Sequence, residues 1–263
     1  MQLAFREELA HGEDFAAKVS WVKSMGIEGI ELASGSLEMP PAEVKSILDE
    51  HGVIAANVAG SFDLLHPDPK VRAAGMDVTK SRMELAQVVG AQAGILLVPQ
   101  FNWNSGIADA SPFMTRKELE TEILTLQLRE LAEITRAGGC PIFLEPLNRY
   151  EAHLVNRIAD GVAFADAVGP EIGVMADFFH MNIEEADIPA SIRAGGGHIV
   201  YVHVADSNRL QPGHGHTDFT PGFTALKEID YDGFLGLECG FAGDFDTAVS
   251  EACALVRELW ASA

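Results

Sequence analysis

GHIVYVHVAD, residues 197–206, carries the argument for the fold. Ile199, Val200, Tyr201 and Val202 follow one another without the apolar–polar alternation of a strand wet on one face. A run of this kind suits a parallel strand, because crossover helices cover both faces of a parallel sheet. ILLV at 95–98 reads the same way. One covered strand implies helices, so the neighbouring segments should alternate.

They do. Strands are expected at 2–5, 26–32, 53–59, 93–99, 140–146, 171–177, 197–206 and 234–239. Amphipathic segments fall between them, near 13–25, 40–51, 70–89, 116–137, 157–168, 184–194, 221–229 and 243–261. Phe15, Val19 and Val22 stand at helical spacing. Pro40–Pro41 fits a first helical turn, and Gly90 fits a C-terminal stop. Eight β–α units of about 33 residues predict a (β/α)8 TIM barrel, a single domain over 1–263. No low-complexity linker interrupts it. An open doubly wound sheet is the alternative. It would carry a glycine-rich turn after its first strand, and REELAHGED (6–14) has none.

Composition bounds the function. The 263 residues are 48% hydrophobic, with a mean hydropathy of +0.11, ample for a large core. Eighteen basic against 39 acidic residues give a net charge of −21, which disfavours nucleic acid and anionic membrane as partners. Three cysteines (Cys140, Cys239, Cys253), with no C-x-x-C, point to a reducing compartment. The acidic MQLAFREELAHGEDF does not read as a signal peptide, and no apolar run approaches the roughly 18 residues of a membrane span. A cytoplasmic location is the expectation.

Four successive strands close on a metal-capable side chain: Glu145, Asp177, His203 and Glu238. Their spacings of 32, 26 and 35 residues are one β–α repeat each. In a barrel that brings all four to the carboxyl-terminal mouth, where active sites of this fold sit. Three carboxylates and one imidazole suit Mn²⁺, Mg²⁺ or Co²⁺ better than a thiolate-rich zinc site. Taken singly, each acid could equally cap the following helix, and His203 could be a hydrogen-bonded core histidine. The recurrence favours a joint site.

LEPLNRYE (144–151), DFFHMNIEE (177–185), VHVADSNRLQPGHG (202–215) and LKEIDYDGFLGLE (226–238) together resemble the xylose-isomerase-like sugar isomerases and epimerases. Within them the chain is similar to the ketose 3-epimerases of the D-tagatose and D-psicose (D-allulose) type. The likeness is strongest over about 140–240 and weaker before it, where NVAGSFDLLHPDPKVRAAG (57–75) carries it. The resemblance implies that Glu145, Asp177, His203 and Glu238 bind one divalent metal, usually Mn²⁺. It also implies that Glu151, His180 and Arg209 hold the oxygens of a small sugar. Glu145 and Glu238 would be the catalytic pair, one taking the C3 proton of a ketose as general base and the other returning a proton as general acid. A homo-oligomer is a further implication.

The chain also departs from that pattern. FREEL (5–9) stands where those epimerases carry aromatic residues, so Arg6 could meet a different substrate group or form a helix-start charge pair with Glu7. Phe101 and Trp103 in FNWNSG could stack on a sugar or pack locally. CGFAGDFDTAV (239–249) is short for the group and could leave the mouth open. His214 and His216 read as exposed loop histidines. No P-loop is present, and the acidic balance favours an unphosphorylated sugar. Other outcomes of the same chemistry remain: aldose–ketose or hydroxypyruvate isomerisation, or a metal-dependent lyase that acts by β-elimination on a 3-keto glycoside with a partner subunit. A non-catalytic sugar-binding barrel is the alternative outside enzymes, but it would have no need of four metal-capable groups.

Overall fold

The computed structural model describes residues 1–99, 101 and 106–263. Eight parallel strands close into a barrel in unbroken chain order. They are β1 (Gln2–Arg6), β2 (Gly29–Leu32), β3 (Ile54–Ala59), β4 (Ile95–Leu97), β5 (Ile142–Leu144), β6 (Ile172–Asp177), β7 (Ile199–His203) and β8 (Phe234–Leu237). The seam is made by β1 against β8, with Gln2 opposite Phe234 and Phe5 opposite Leu237. Around them, among the described residues, run α1 (Phe15–Ser24), α2 (Pro41–His51), α3 (Pro69–Val89), α4 (Arg116–Arg136), α5 (Ile158–Val168), α6 (Phe178–Glu184), α7 (Ile188–Gly195), α8 (Phe219–Glu228) and α9 (Phe245–Ser262).

Two layers of core follow from the two faces of each strand. Leu3, Phe5, Ile30, Leu144, Val202 and Leu235 face outward and pack in the large cluster shared with the helices. Ala4, Ala56, Leu96, Phe143, Met175, Tyr201 and Phe234 form a second cluster that fills the barrel interior. The period of two then decides what reaches the mouth. Glu145, Asp177 and His203 each follow an interior residue (Phe143, Met175, Tyr201) by two positions, and Glu238 follows Gly236 by two.

One expectation is corrected. A single helix near 184–194 is replaced by two, α6 directly after β6 and then α7. The reason is Asp177: its Oδ1 accepts the backbone N–H of Phe179 at 2.7 Å and of His180 at 3.2 Å, which starts a helix at once. Aspartates do the same for α1, α3, α7, α8 and α9, through Asp14, Asp68, Asp187, Asp218 and Asp244. The expected strands at 93–99, 140–146 and 197–206 are trimmed to their central residues. Among the described residues, no helix is long and apolar enough to cross a membrane.

Candidate active site

The mouth gathers Glu145, Asp177, His203 and Glu238 so that one ligand atom from each lies within 4.8 Å of all the others. His203 Nδ1 is 3.3 Å from Glu238 Oε2, 3.4 Å from Asp177 Oδ2 and 3.6 Å from Glu145 Oε1. Buried and lacking a hydrogen-bond partner among the described residues are Glu145 Oε1, Asp177 Oδ2 and His203 Nδ1. Buried polar atoms are ordinarily paired. Two unpartnered carboxylate oxygens and an imidazole nitrogen converging on one point, with Glu238 Oε2 beside them and held by Arg209, form a donor set that fits a hard divalent cation. Asp177 divides its work: Oδ1 caps α6, while Oδ2 faces this point.

Electrostatics agree. Burial by itself would drive the proton off His203, but the Glu31 and Glu238 carboxylates, helped by Asp177 and Glu145, outweigh it and hold the imidazole well above its usual range. Burial likewise works to raise Asp177 and Glu238. His180, His203 and Arg209 hold Asp177 low, and His203, Arg6 and Arg209 hold Glu238 low.

The residues expected to meet a sugar are brought to the same rim. His180 Nδ1 accepts the backbone N–H of Asn148 at 3.0 Å, and its Nε2 lies 3.8 Å from both Glu145 Oε1 and Asp177 Oδ2. Asn148 also donates through Nδ2 to Glu151 Oε1 at 2.8 Å, linking Glu151 to His180. Arg209 donates to Glu238 Oε2 at 2.7 Å, stands 3.0 Å from His180 Nε2 and lies over the Phe179 ring at 4.6 Å. Its φ of 60° is unusual for a residue other than glycine. The turn that fixes it is built on buried Asp206, whose carboxylate accepts the N–H groups of Ser207, Gly213 and Thr217.

Arg6 reaches the site from the other side. It donates to Glu238 Oε1 at 2.6 Å and to Glu8, so its pairing is not with Glu7. Arg6, Glu8, Leu9, Arg209 and Glu238 line a cavity of about 380 Å³ beside the cluster. A larger hollow of about 820 Å³ lies at the opposite, amino-terminal floor, lined by strand starts such as Gln2, Ile142 and Phe234. None of the expected site residues that are described lies there. Phe101 packs edge-on against Phe62 at 5.4 Å. Trp103 lies outside the described residues. His214 and His216 are exposed, and no second group of three metal-capable residues occurs among the described residues.

Glu31 was not singled out from the sequence. It is completely buried, with Oε1 at 2.8 Å from Tyr201 Oη and 3.0 Å from His203 Nε2. The available signal was an acid inside the apolar GIEGIEL (26–32), in a strand with no wet face.

A family model described as "Xylose isomerase-like TIM barrel" matches residues 19–259. The Escherichia coli protein named 3-dehydro-D-guloside 4-epimerase is 27% identical over 90% of this chain and 92% of its own length. The L-ribulose 3-epimerase of Mesorhizobium japonicum is 34% identical over 79% of this chain and 68% of that protein. Among solved structures, the apo 3-keto-D-glucoside 4-epimerase from E. coli superposes with a TM-score of 0.86 at 27% identity, covering 98% of this chain and 99% of that one. The chain therefore belongs to the xylose isomerase-like TIM barrel family, and within it to the enzymes of epimerase type.

Proposed function

We propose that this chain is a metal-dependent sugar epimerase that inverts C3 of a ketose through a cis-enediolate. The observation that supports this most is the convergence of Glu145, Asp177, His203 and Glu238, with Glu145 Oε1, Asp177 Oδ2 and His203 Nδ1 unpartnered, beside the donors of His180 and Arg209. A divalent cation held by the four side chains, Mn²⁺ by family resemblance, supplies Lewis acidity to the oxygens beside the reacting carbon.

The remaining work falls to the chain itself. Because Nδ1 of His180 accepts a backbone N–H, the hydrogen of the neutral ring is on Nε2. Nε2–H and Arg209 Nη1 are then two donors 3.0 Å apart, an arrangement that favours an acceptor between them. A sugar oxygen gaining negative charge answers that need. Glu145 and Glu238 rise from β5 and β8, three strands apart around the mouth, and so can address opposite faces of a bound sugar. One takes the proton beside the ketone and the other delivers a proton to the far face. Arg6 and Arg209 donate to both oxygens of Glu238 and fix its plane.

A second reading is 4-epimerisation of a 3-keto glycoside, favoured by the E. coli relative of that description, which matches most of the chain. The chemistry is the same, one carbon along: a proton next to a ketone leaves and returns. The three cysteines are free thiols, in keeping with the cytoplasmic setting we propose.

The test is incubation of the Mn²⁺-loaded protein in deuterated water with D-tagatose, D-psicose, D-fructose and a 3-keto glucoside, followed by NMR. Epimer formation with deuterium at C3 of a ketose supports the first reading, and deuterium at C4 of the glycoside supports the second. Elimination products would replace both with a lyase, and no exchange on any substrate would overturn the epimerase.

A further inference from the structure

Glu31 is completely buried inside the barrel, and the partners of its Oε1 explain its presence. It sits on β2, three strands around the barrel from His203 on β7, so its side chain crosses the interior to reach the imidazole. Of the two strands lying between them, β1 and β8, the second makes the crossing possible. A Cβ on Gly236 of β8 would stand 2.3 Å from Glu31 Oε1, 2.9 Å from His203 Cδ2 and 3.1 Å from Tyr201 Oη. Glycine is needed there by close approach, since any side chain would occupy the space of the contact. Tyr201 donates its hydroxyl to the same Oε1 and packs its ring on Phe143, which steadies the carboxylate from below.

An ionised carboxylate only accepts, so the 3.0 Å contact requires His203 Nε2 to carry hydrogen. The neutral ring then turns a lone pair at Nδ1 toward Glu145, Asp177 and Glu238. The opposite tautomer would turn an N–H toward the same point and repel a cation.

We propose that Glu31 is a positioning residue that fixes the tautomer and orientation of His203 for cation binding, through a path that Gly236 keeps open. This rests on the reading of the four-residue cluster as a cation site. Carboxylates in this relation to a ligating histidine raise metal affinity about 10- to 100-fold.

The experiment is calorimetric titration of chelator-stripped protein with Mn²⁺, with circular dichroism to verify folding. Glu31→Leu removes the acceptor and should weaken Mn²⁺ binding by about 10- to 100-fold, as should Gly236→Ala, which leaves Glu31 intact but displaces it. Glu31→Gln keeps an oxygen for Nε2–H and should recover most of the affinity, which a purely electrostatic role for Glu31 would not allow. In the Mg²⁺-loaded protein, ¹⁵N NMR should find the His203 proton on Nε2. If Glu31→Leu does not fold, Gly236→Ala decides. Binding by the folded variants within about twofold of wild type would overturn the proposal and leave the cation site standing. Failure of the wild-type chain to take up Mn²⁺ would bring down both.

Discussion

Glu145 and Glu238 are given different surroundings by the fold, which makes their exchange for glutamine informative. Each substitution keeps the shape and removes the capacity to carry a proton. Glu145→Gln and Glu238→Gln should each lower epimerisation by about 10²- to 10⁴-fold, with loss of deuterium exchange at the reacting carbon. Near wild-type exchange in either variant would remove that residue from the proton path. Asp177 tests two roles separately. Asparagine is an equally good N-cap, so Asp177→Asn should weaken metal binding and leave stability close to wild type. Asp177→Ala should add a stability loss of about 1 kcal/mol, read by thermal or urea denaturation. The carboxylates at the strand ends were legible as candidates because their type recurs at repeat spacing. What sequence could not resolve was whether Asp177 served the helix or the site, since one oxygen does each.

At the scale of elements, the loops after β1 and β2 are joined by Glu7. Its carboxylate accepts the backbone N–H groups of Ala33, Ser34 and Ser36 and the Ser36 hydroxyl. Burial works to raise this acid, but those hydrogen bonds prevail and leave it below the usual carboxylate range. A carboxyl depressed by folding contributes stability above its unfolded value, about 4.3, and the contribution is lost as pH falls through the folded value. Glu7→Gln should therefore cost about 2 kcal/mol at neutral pH, with the difference from wild type shrinking in acid. Denaturation curves from neutral pH down into that acid range measure both. Strand and helix order was legible except after β6, because continuous apolar runs mark the covered strands and helical spacing marks the segments between them. The second helix after β6 was not, since α6 is too short for periodicity and rests on a single aspartate cap. Nor was Glu31 visible as a partner of His203, because a contact across three strands leaves no mark on local spacing.

For the molecule as a whole, cation uptake and proton release should be linked. Against burial, the Glu31, Glu238, Asp177 and Glu145 carboxylates around His203 favour its protonated form, so a proton competes with the cation for the imidazole. Raising pH removes that competitor, and Mn²⁺ affinity should rise with pH, with about one proton released per ion in buffers of differing ionisation enthalpy. Affinity independent of pH would contradict this. A cation present at about 100 times its dissociation constant should stabilise the fold by about 2.7 kcal/mol. Chelation should accordingly lower Tm by several degrees. The barrel was legible because its architecture repeats, whereas its seam is a single long-range event. That seam has a consequence for biosynthesis: a polypeptide emerging from the ribosome presents Glu145, Asp177 and His203 long before Phe234–Leu237 can zip against Gln2–Phe5. Competence should therefore appear in one step, when the final stave and Glu238 arrive together, and nascent chains halted before that point should capture no ion tightly.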